Sequence, residues 1–157
     1  MSPSRTGALG YERTTAQKHP RIWLSVRIPL NLPSTLPLAI AVLVSVGIIV
    51  IGCFYVAAPE RIVAGFGLKP PAPDADTRAW LRLKGTRDIA AGLAVLTLML
   101  TTDHRTVGIV LLVFAIIPFG DMSTVLLSGG RKVTAFSVHG VTCVVMLFAG
   151  LVLIHAF

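Results

Sequence analysis

Long apolar stretches separated by short polar segments dominate the chain. Residues 36–57 form a stretch without a single charge, and mostly apolar stretches follow at 77–101, 107–127 and 134–157. An α-helix rises about 1.5 Å per residue, so each stretch is long enough for the roughly 30 Å hydrocarbon core of a bilayer. We therefore expect an all-α integral membrane protein, a four-helix bundle over residues 36–157 with both termini on the same side.

The segments between the predicted helices carry turn residues. GLKPPAPDAD (67–76) has three prolines and precedes the second helix, which Asp76 or Thr77 is expected to cap. The polar turns TTDHRT (101–106) and SGGRK (128–132) are short, so the last three helices should be antiparallel neighbours.

The first 35 residues have a different composition from the rest of the chain. They are polar and basic and contain Pro20, Pro29 and Pro33, which predicts a tail that is mostly disordered or lies along the membrane interface. After the first apolar stretch, Pro59 begins the segment PERIVAGF (59–66), for which we expect a short turn of helix at the membrane interface.

Composition and charge narrow the expected partners. Only 13% of residues are charged and 54% are hydrophobic, whereas a soluble domain carries about 25% charged residues. The net charge of +7 comes from the tail, the loops and the turns, so it indicates contact with the lipid bilayer and no nucleic-acid partner. A bacterial cell membrane and a eukaryotic organelle membrane both fit, and a protein partner or homo-oligomer stays open.

Ionisable residues of three predicted helices fall at one depth. Counted from the ends of their helices, Asp88, Asp121 and His139 lie about 10, 9 and 8 Å inside the hydrocarbon. Arg87 adjoins Asp88, and Lys84 is placed either to pair with Asp88 or to snorkel to the surface. Such groups are costly to bury singly in lipid, so we expect a buried polar cluster inside the bundle.

Proline and glycine flank these residues. Pro118 cannot donate to the carbonyl of Phe114, which predicts a kink that opens space at Asp121. Small residues that allow close helix approach, or leave room for a ligand, stand at Gly85, Gly92, Gly120 and Gly140.

Two interpretations of the predicted cluster stay open. It can specify helix packing, as in an accessory subunit of a membrane complex, or it can line a pocket for a lipophilic small molecule. In a membrane enzyme of the isomerase or hydrolase type, Asp88 or Asp121 would be the base, His139 its proton partner and Arg87 the charge stabiliser. Whether the protein is an enzyme is left open, and polarity confined to one half of the bilayer argues against a transporter.

No cofactor and no metal is expected. Asp88, Asp121 and His139 could ligate iron or zinc, but their spacing is not diagnostic and Arg87 would repel a cation.

Four segments of the chain resemble a known family of small membrane proteins, the domain of unknown function number 4267. The matching segments are APERIVAGFGL (58–68), WLRLKGTRDIAAGL (80–93), IIPFGDM (116–122) and TAFSVHGVT (134–142). More distantly, the chain resembles the DoxX-like four-helix membrane proteins. The resemblance covers residues 40–155 and implies a four-helix integral membrane protein with no assigned activity. The residues that it carries over are Lys84, Gly85, Arg87, Asp88, Gly92, Pro118, Asp121 and His139.

Overall fold

The computed structural model describes residues 35–155, and every regular element in that range is helical. In chain order the helices are α1 (Thr35–Ala57), α2 (Pro59–Ile62), α3 (Ala75–Thr101), α4 (His104–Phe114), α5 (Ile116–Leu127), α6 (Lys132–Thr134) and α7 (Val141–His155). A 3₁₀ turn (Val63–Phe66) follows α2, and a π-helix (Ala135–Gly140) joins α6 to α7. The all-α prediction is thus confirmed for these residues. The predicted N-terminal tail, up to residue 34, lies outside the described range.

Helices α1 and α3 run antiparallel in direct backbone contact. A Cβ atom added to Gly52 would lie 2.7 Å from the Gly85 carbonyl oxygen, and one added to Gly85 would lie 2.6 Å from the Gly52 oxygen. Further along, a Cβ atom at Gly92 would lie 2.6 Å from the Ser45 oxygen. Only the missing side chains let the two backbones approach this closely.

A second antiparallel pair is formed by α4 and α7. A Cβ atom at Gly108 would lie 2.7 Å from the Gly150 carbonyl oxygen, and the Cys143 thiol lies 3.5 Å from the Ala115 oxygen. One apolar core joins this pair to α1 and α3. Its buried members are Ala41, Val95, Val107, Leu111, Ala115, Cys143, Met146, Ala149 and Leu153.

The third predicted helix is interrupted where proline removes a hydrogen bond. Regular α-helix ends at Phe114, four residues before Pro118, and resumes at Ile116, two residues before it. Proline has no N–H group to donate to the carbonyl four residues earlier, which is the reason we predicted a kink here. The segment from His104 to Leu127 still forms one candidate span of 24 residues.

Two helices begin earlier than predicted because aspartates cap them. The carboxylate of Asp74 accepts the Thr77 backbone N–H at 2.7 Å, so α3 begins at Ala75 and neither Asp76 nor Thr77 is its cap. Asp103 accepts the Thr106 backbone N–H at 3.0 Å and the Thr106 hydroxyl at 2.8 Å, so α4 begins at His104. Both are ordinary N-cap bonds that satisfy otherwise free N–H groups.

Within the described range, three helical segments are long and apolar enough to cross a membrane. They are Thr35–Ala57, His104–Leu127 and Lys132–His155. Helix α3 does not meet the same criterion, because Lys84, Arg87 and Asp88 interrupt its apolar sequence. These three segments make the chain compatible with a membrane protein.

Candidate ligand-binding site

A cavity of about 520 Å³ lies between α1, α3, the α4–α5 segment and the π-helix. That volume falls within the roughly 300–1,000 Å³ of small-molecule sites. Most of its lining is apolar, and its polar lining residues are Ser45, Tyr55, Lys84, Asp121, Thr142 and His139. Along α1 the lining runs from Leu43 to Tyr55, a distance of about 18 Å at 1.5 Å per residue.

Four of the polar groups, those of Tyr55, Lys84, Asp121 and His139, gather toward one end of this cavity. Tyr55 and Lys84 lie side by side, with the Lys84 ammonium 5.1 Å from the centre of the tyrosine ring. The opposite end is lined mainly by apolar side chains such as Leu43 and Val95, with Ser45 as its one polar residue on α1. The cavity therefore combines a long apolar part with a polar end.

The ammonium of Lys84 is already engaged by its neighbours. Its Nζ atom donates to Asp88 Oδ2 at 2.7 Å, one helical turn along α3. It also lies 5.5 Å from the centre of the Phe66 ring, so two aromatic faces flank it within cation–π range. Asp88 is buried behind this contact and is not part of the cavity lining. Of the two placements expected for Lys84, the structure shows pairing with Asp88.

His139 is held by the backbone of the 3₁₀ turn. Its Nε2 atom lies 3.0 Å from the Phe66 carbonyl oxygen, and the two rings are 4.7 Å apart. A carbonyl can only accept, so Nε2 carries a proton and donates it. The other ring nitrogen, Nδ1, lies 3.9 Å from Asp121 Oδ2, which is too long for a hydrogen bond. Both groups line the cavity, where each can bind a third group.

The expected network of Arg87 with Asp88, Asp121 and His139 is not found. The structure shows two separate pairs, Lys84–Asp88 and His139–Asp121, and the Arg87 side chain is exposed. Successive residues of an α-helix point about 100° apart. Because Asp88 faces the neighbouring helices, Arg87 cannot face them too, whereas Lys84 is four positions away and shares the face of Asp88.

Two aromatic residues of this site were missed by the sequence reasoning. Tyr55 could have been found, because Ser45, Gly52 and Tyr55 follow helical spacing on one face of an otherwise apolar α1, and all three are buried. Phe66 had no such signal. It reaches the site because the Arg131 N–H donates to the Gly67 carbonyl at 2.8 Å and fixes the end of the 3₁₀ turn.

The described residues offer acid–base groups and no metal site. Within residues 35–155, no group of three or more His, Cys, Asp or Glu side chains is placed to hold a metal ion. Asp121 and the Nδ1 atom of His139 are two neighbouring groups in the lining that can each exchange a proton or accept a hydrogen bond.

Comparison with known proteins assigns the family. The model of the family described as Domain of unknown function (DUF4267) matches residues 45–153, a range that contains every polar residue of the cavity. No curated protein and no solved structure matches the chain, and the more distant DoxX-like resemblance is not confirmed. The chain belongs to the DUF4267 family.

Proposed function

We propose that the chain is a four-helix integral membrane protein that binds a lipophilic small molecule in this cavity. Helix α3 is the fourth span, because it runs antiparallel to α1 and touches it at both Gly85 and Gly92. If α1 crosses the bilayer, α3 occupies the same depth. Its charged first half then lies near the headgroups, where long basic side chains extend toward water. Four antiparallel spans place both termini on the same side.

The outer surface supports a lipid environment. Large apolar side chains point away from the core on every long segment, among them Val50, Leu100, Phe119 and Leu127, with 48–89% of their surface exposed. A monomeric soluble protein seldom exposes apolar surface on this scale. Lipid tails would cover these side chains.

The observation that carries the ligand proposal is the shape and chemistry of the cavity. It extends about 18 Å along α1 with mostly apolar walls and ends at Tyr55, Lys84, Asp121 and His139. A molecule with an alkyl chain and a polar head matches this distribution. A bundle whose polar residues served packing alone would bring them into direct contact, whereas His139 and Asp121 stand 3.9 Å apart at the cavity wall.

A cavity-filling substitution tests the proposal. Gly47 lines the cavity, and a Cβ atom added there would meet no other heavy atom within 4 Å, so Gly47→Phe can occupy the space without a backbone clash. Val46→Phe is the matched control, because Val46 is exposed on the same helix and does not line the cavity. Each protein would be purified and its bound lipophilic molecules identified by native mass spectrometry.

We expect the parent and Val46→Phe to retain a defined lipophilic molecule and Gly47→Phe to lose it. Gly47→Leu adds less volume than Gly47→Phe and should therefore lose only part of the bound molecule. Binding would be refuted if no molecule were enriched over the surrounding detergent and lipid. It would also be refuted if Gly47→Phe retained as much ligand as Val46→Phe.

A further inference from the structure

The charges at the polar end of the cavity restrict the head group of the ligand. Among the described lining residues, Lys84 is the one lysine or arginine, and its ammonium is already bonded to Asp88 at 2.7 Å. An anionic head would therefore have to compete with Asp88 for this cation. It would also lie beside the Asp121 carboxylate, the acidic group among the described lining residues.

Two neighbouring groups of this wall, Asp121 and His139 Nδ1, accept hydrogen bonds, whereas the Tyr55 hydroxyl and the Lys84 ammonium at the same end donate them. His139 uses its Nε2 proton on the Phe66 carbonyl, so Nδ1 has a lone pair whenever the ring is neutral. The Asp121 carboxylate, when ionised, also only accepts. The two atoms, Nδ1 and Oδ2, are 3.9 Å apart, so one polar head atom of a ligand can lie within hydrogen-bond distance of both.

We infer that the ligand is a lipophilic molecule whose head group donates hydrogen bonds and carries no negative charge, such as a long-chain alcohol or amine. The inference rests on the proposed function, because it concerns the polar end of the same cavity. A hydroxyl group donates to one of the two acceptors, and an ammonium group can donate to both. A carboxylate or phosphate has no hydrogen to donate to Asp121 and His139 Nδ1, and its charge meets that of Asp121.

Four probes with one alkyl chain and different heads test this inference. Tetradecanol is a neutral donor, tetradecylamine a cationic donor, methyl tetradecyl ether a neutral acceptor and tetradecanoate an anionic acceptor. Dissociation constants would be obtained from the rise of melting temperature with probe concentration in mildly alkaline detergent buffer. We expect the alcohol or the amine to bind at least about tenfold more tightly than tetradecanoate, since like charges a few ångströms apart repel strongly in a partly buried site.

The outcomes separate the two proposals. If tetradecanoate or the ether binds as tightly as both donors, the head-group inference is wrong while binding in the cavity stands. If no probe stabilises the protein, or if Gly47→Phe is stabilised as much as the parent, binding in the cavity itself is refuted. A lead of the amine over the alcohol, or the reverse, identifies which kind of donor the site prefers.

A charge-removing variant adds a second measurement. Asp121→Asn keeps the size of the side chain and removes its charge, so tetradecanoate should gain about tenfold relative to tetradecanol. Arg87→Gln is the control for a change in net charge, because Arg87 is exposed and does not line the cavity. An unchanged ratio in Asp121→Asn, or an equal change in Arg87→Gln, would overturn the assigned role of Asp121.

Discussion

The contact between α1 and α3 can be tested with two glycines of the same helix. In Gly52→Ala the new Cβ atom would lie 2.7 Å from the Gly85 oxygen, 2.8 Å from Ile89 Cγ1 and 3.0 Å from the Ile89 nitrogen. Ordinary contacts begin near 3.4 Å, so the two helices must separate by about 0.7 Å or distort. Overpacking of this kind costs about 1–3 kcal/mol.

Gly47→Ala is the control that removes the helix-propensity term. Both glycines lie inside α1, and replacing either by alanine favours the helix by up to about 1 kcal/mol. At Gly47 the Cβ atom meets nothing within 4 Å, so this gain stands alone. The difference between the two variants therefore isolates the helix contact, and we expect Gly52→Ala to be less stable than Gly47→Ala by about 1–3 kcal/mol.

The assay is equilibrium or thermal unfolding of both variants in the same detergent. For a protein of this size, each kcal/mol shifts the melting temperature by about 2–4 °C, so the expected difference is measurable. Gly85→Ala should behave like Gly52→Ala, and the double variant should lose less than the sum, since both changes disrupt one contact. Equal stability of Gly52→Ala and Gly47→Ala would refute the close approach of α1 and α3.

Two further predictions concern charged groups. Lys84→Met should destabilise the protein by up to about 3–5 kcal/mol, because it leaves the buried Asp88 carboxylate without a partner. Asp88→Asn should cost less, because the Lys84 ammonium that it leaves unpaired can turn to water. Equal losses of stability in denaturant unfolding would contradict this prediction. The Thr106 N–H holds the pKa of Asp103 below its usual value. The stability that this cap adds is therefore fully present above the unfolded-state pKa of about 3.9, and it is lost as the pH falls through the lower folded-state pKa. Asp103→Asn should weaken this acid sensitivity in melting curves recorded against pH, and identical curves for parent and variant would refute it.

The helical fold could be predicted because it depends on one-dimensional patterns. The apolar stretch 36–57 allows little besides a buried or lipid-facing helix, and the structure has a helix at Thr35–Ala57. The ends were harder to predict, since Asp74, Asp76 and Thr77 are all acceptable caps by composition. Local geometry selects Asp74, whose carboxylate reaches the Thr77 N–H.

The site was less predictable because depth along a helix is only one of its coordinates. Arg87, Asp88, Asp121 and His139 lie at similar distances from the ends of their helices, but those distances leave open the directions in which the side chains point. Arg87 and Asp88 share a depth but point about 100° apart, so one is exposed and the other buried. The 3.6-residue period of the α-helix would have placed Arg87 and Asp88 on different faces of α3.

The surroundings of His139 could not be derived from the sequence. The segment AFSVHG adopts a π-helix, and its composition does not distinguish it from the α-helix on either side. π-helical turns are frequent at functional sites, but they are identified from backbone coordinates and not from the sequence. The bond from His139 to the Phe66 carbonyl also depends on where the 3₁₀ turn lies, which is a property of the folded chain.

The bond between His139 and Phe66 also has a consequence for the biosynthesis of the protein. Its two partners are 73 positions apart in the chain. Synthesis proceeds from the N-terminus, so α1 and α3 can pair through Gly52 and Gly85 while the last helix is still inside the ribosome. The polar end of the cavity is completed only after His139 has left the ribosome. A newly made chain would therefore acquire its paired helices first and a complete cavity wall last.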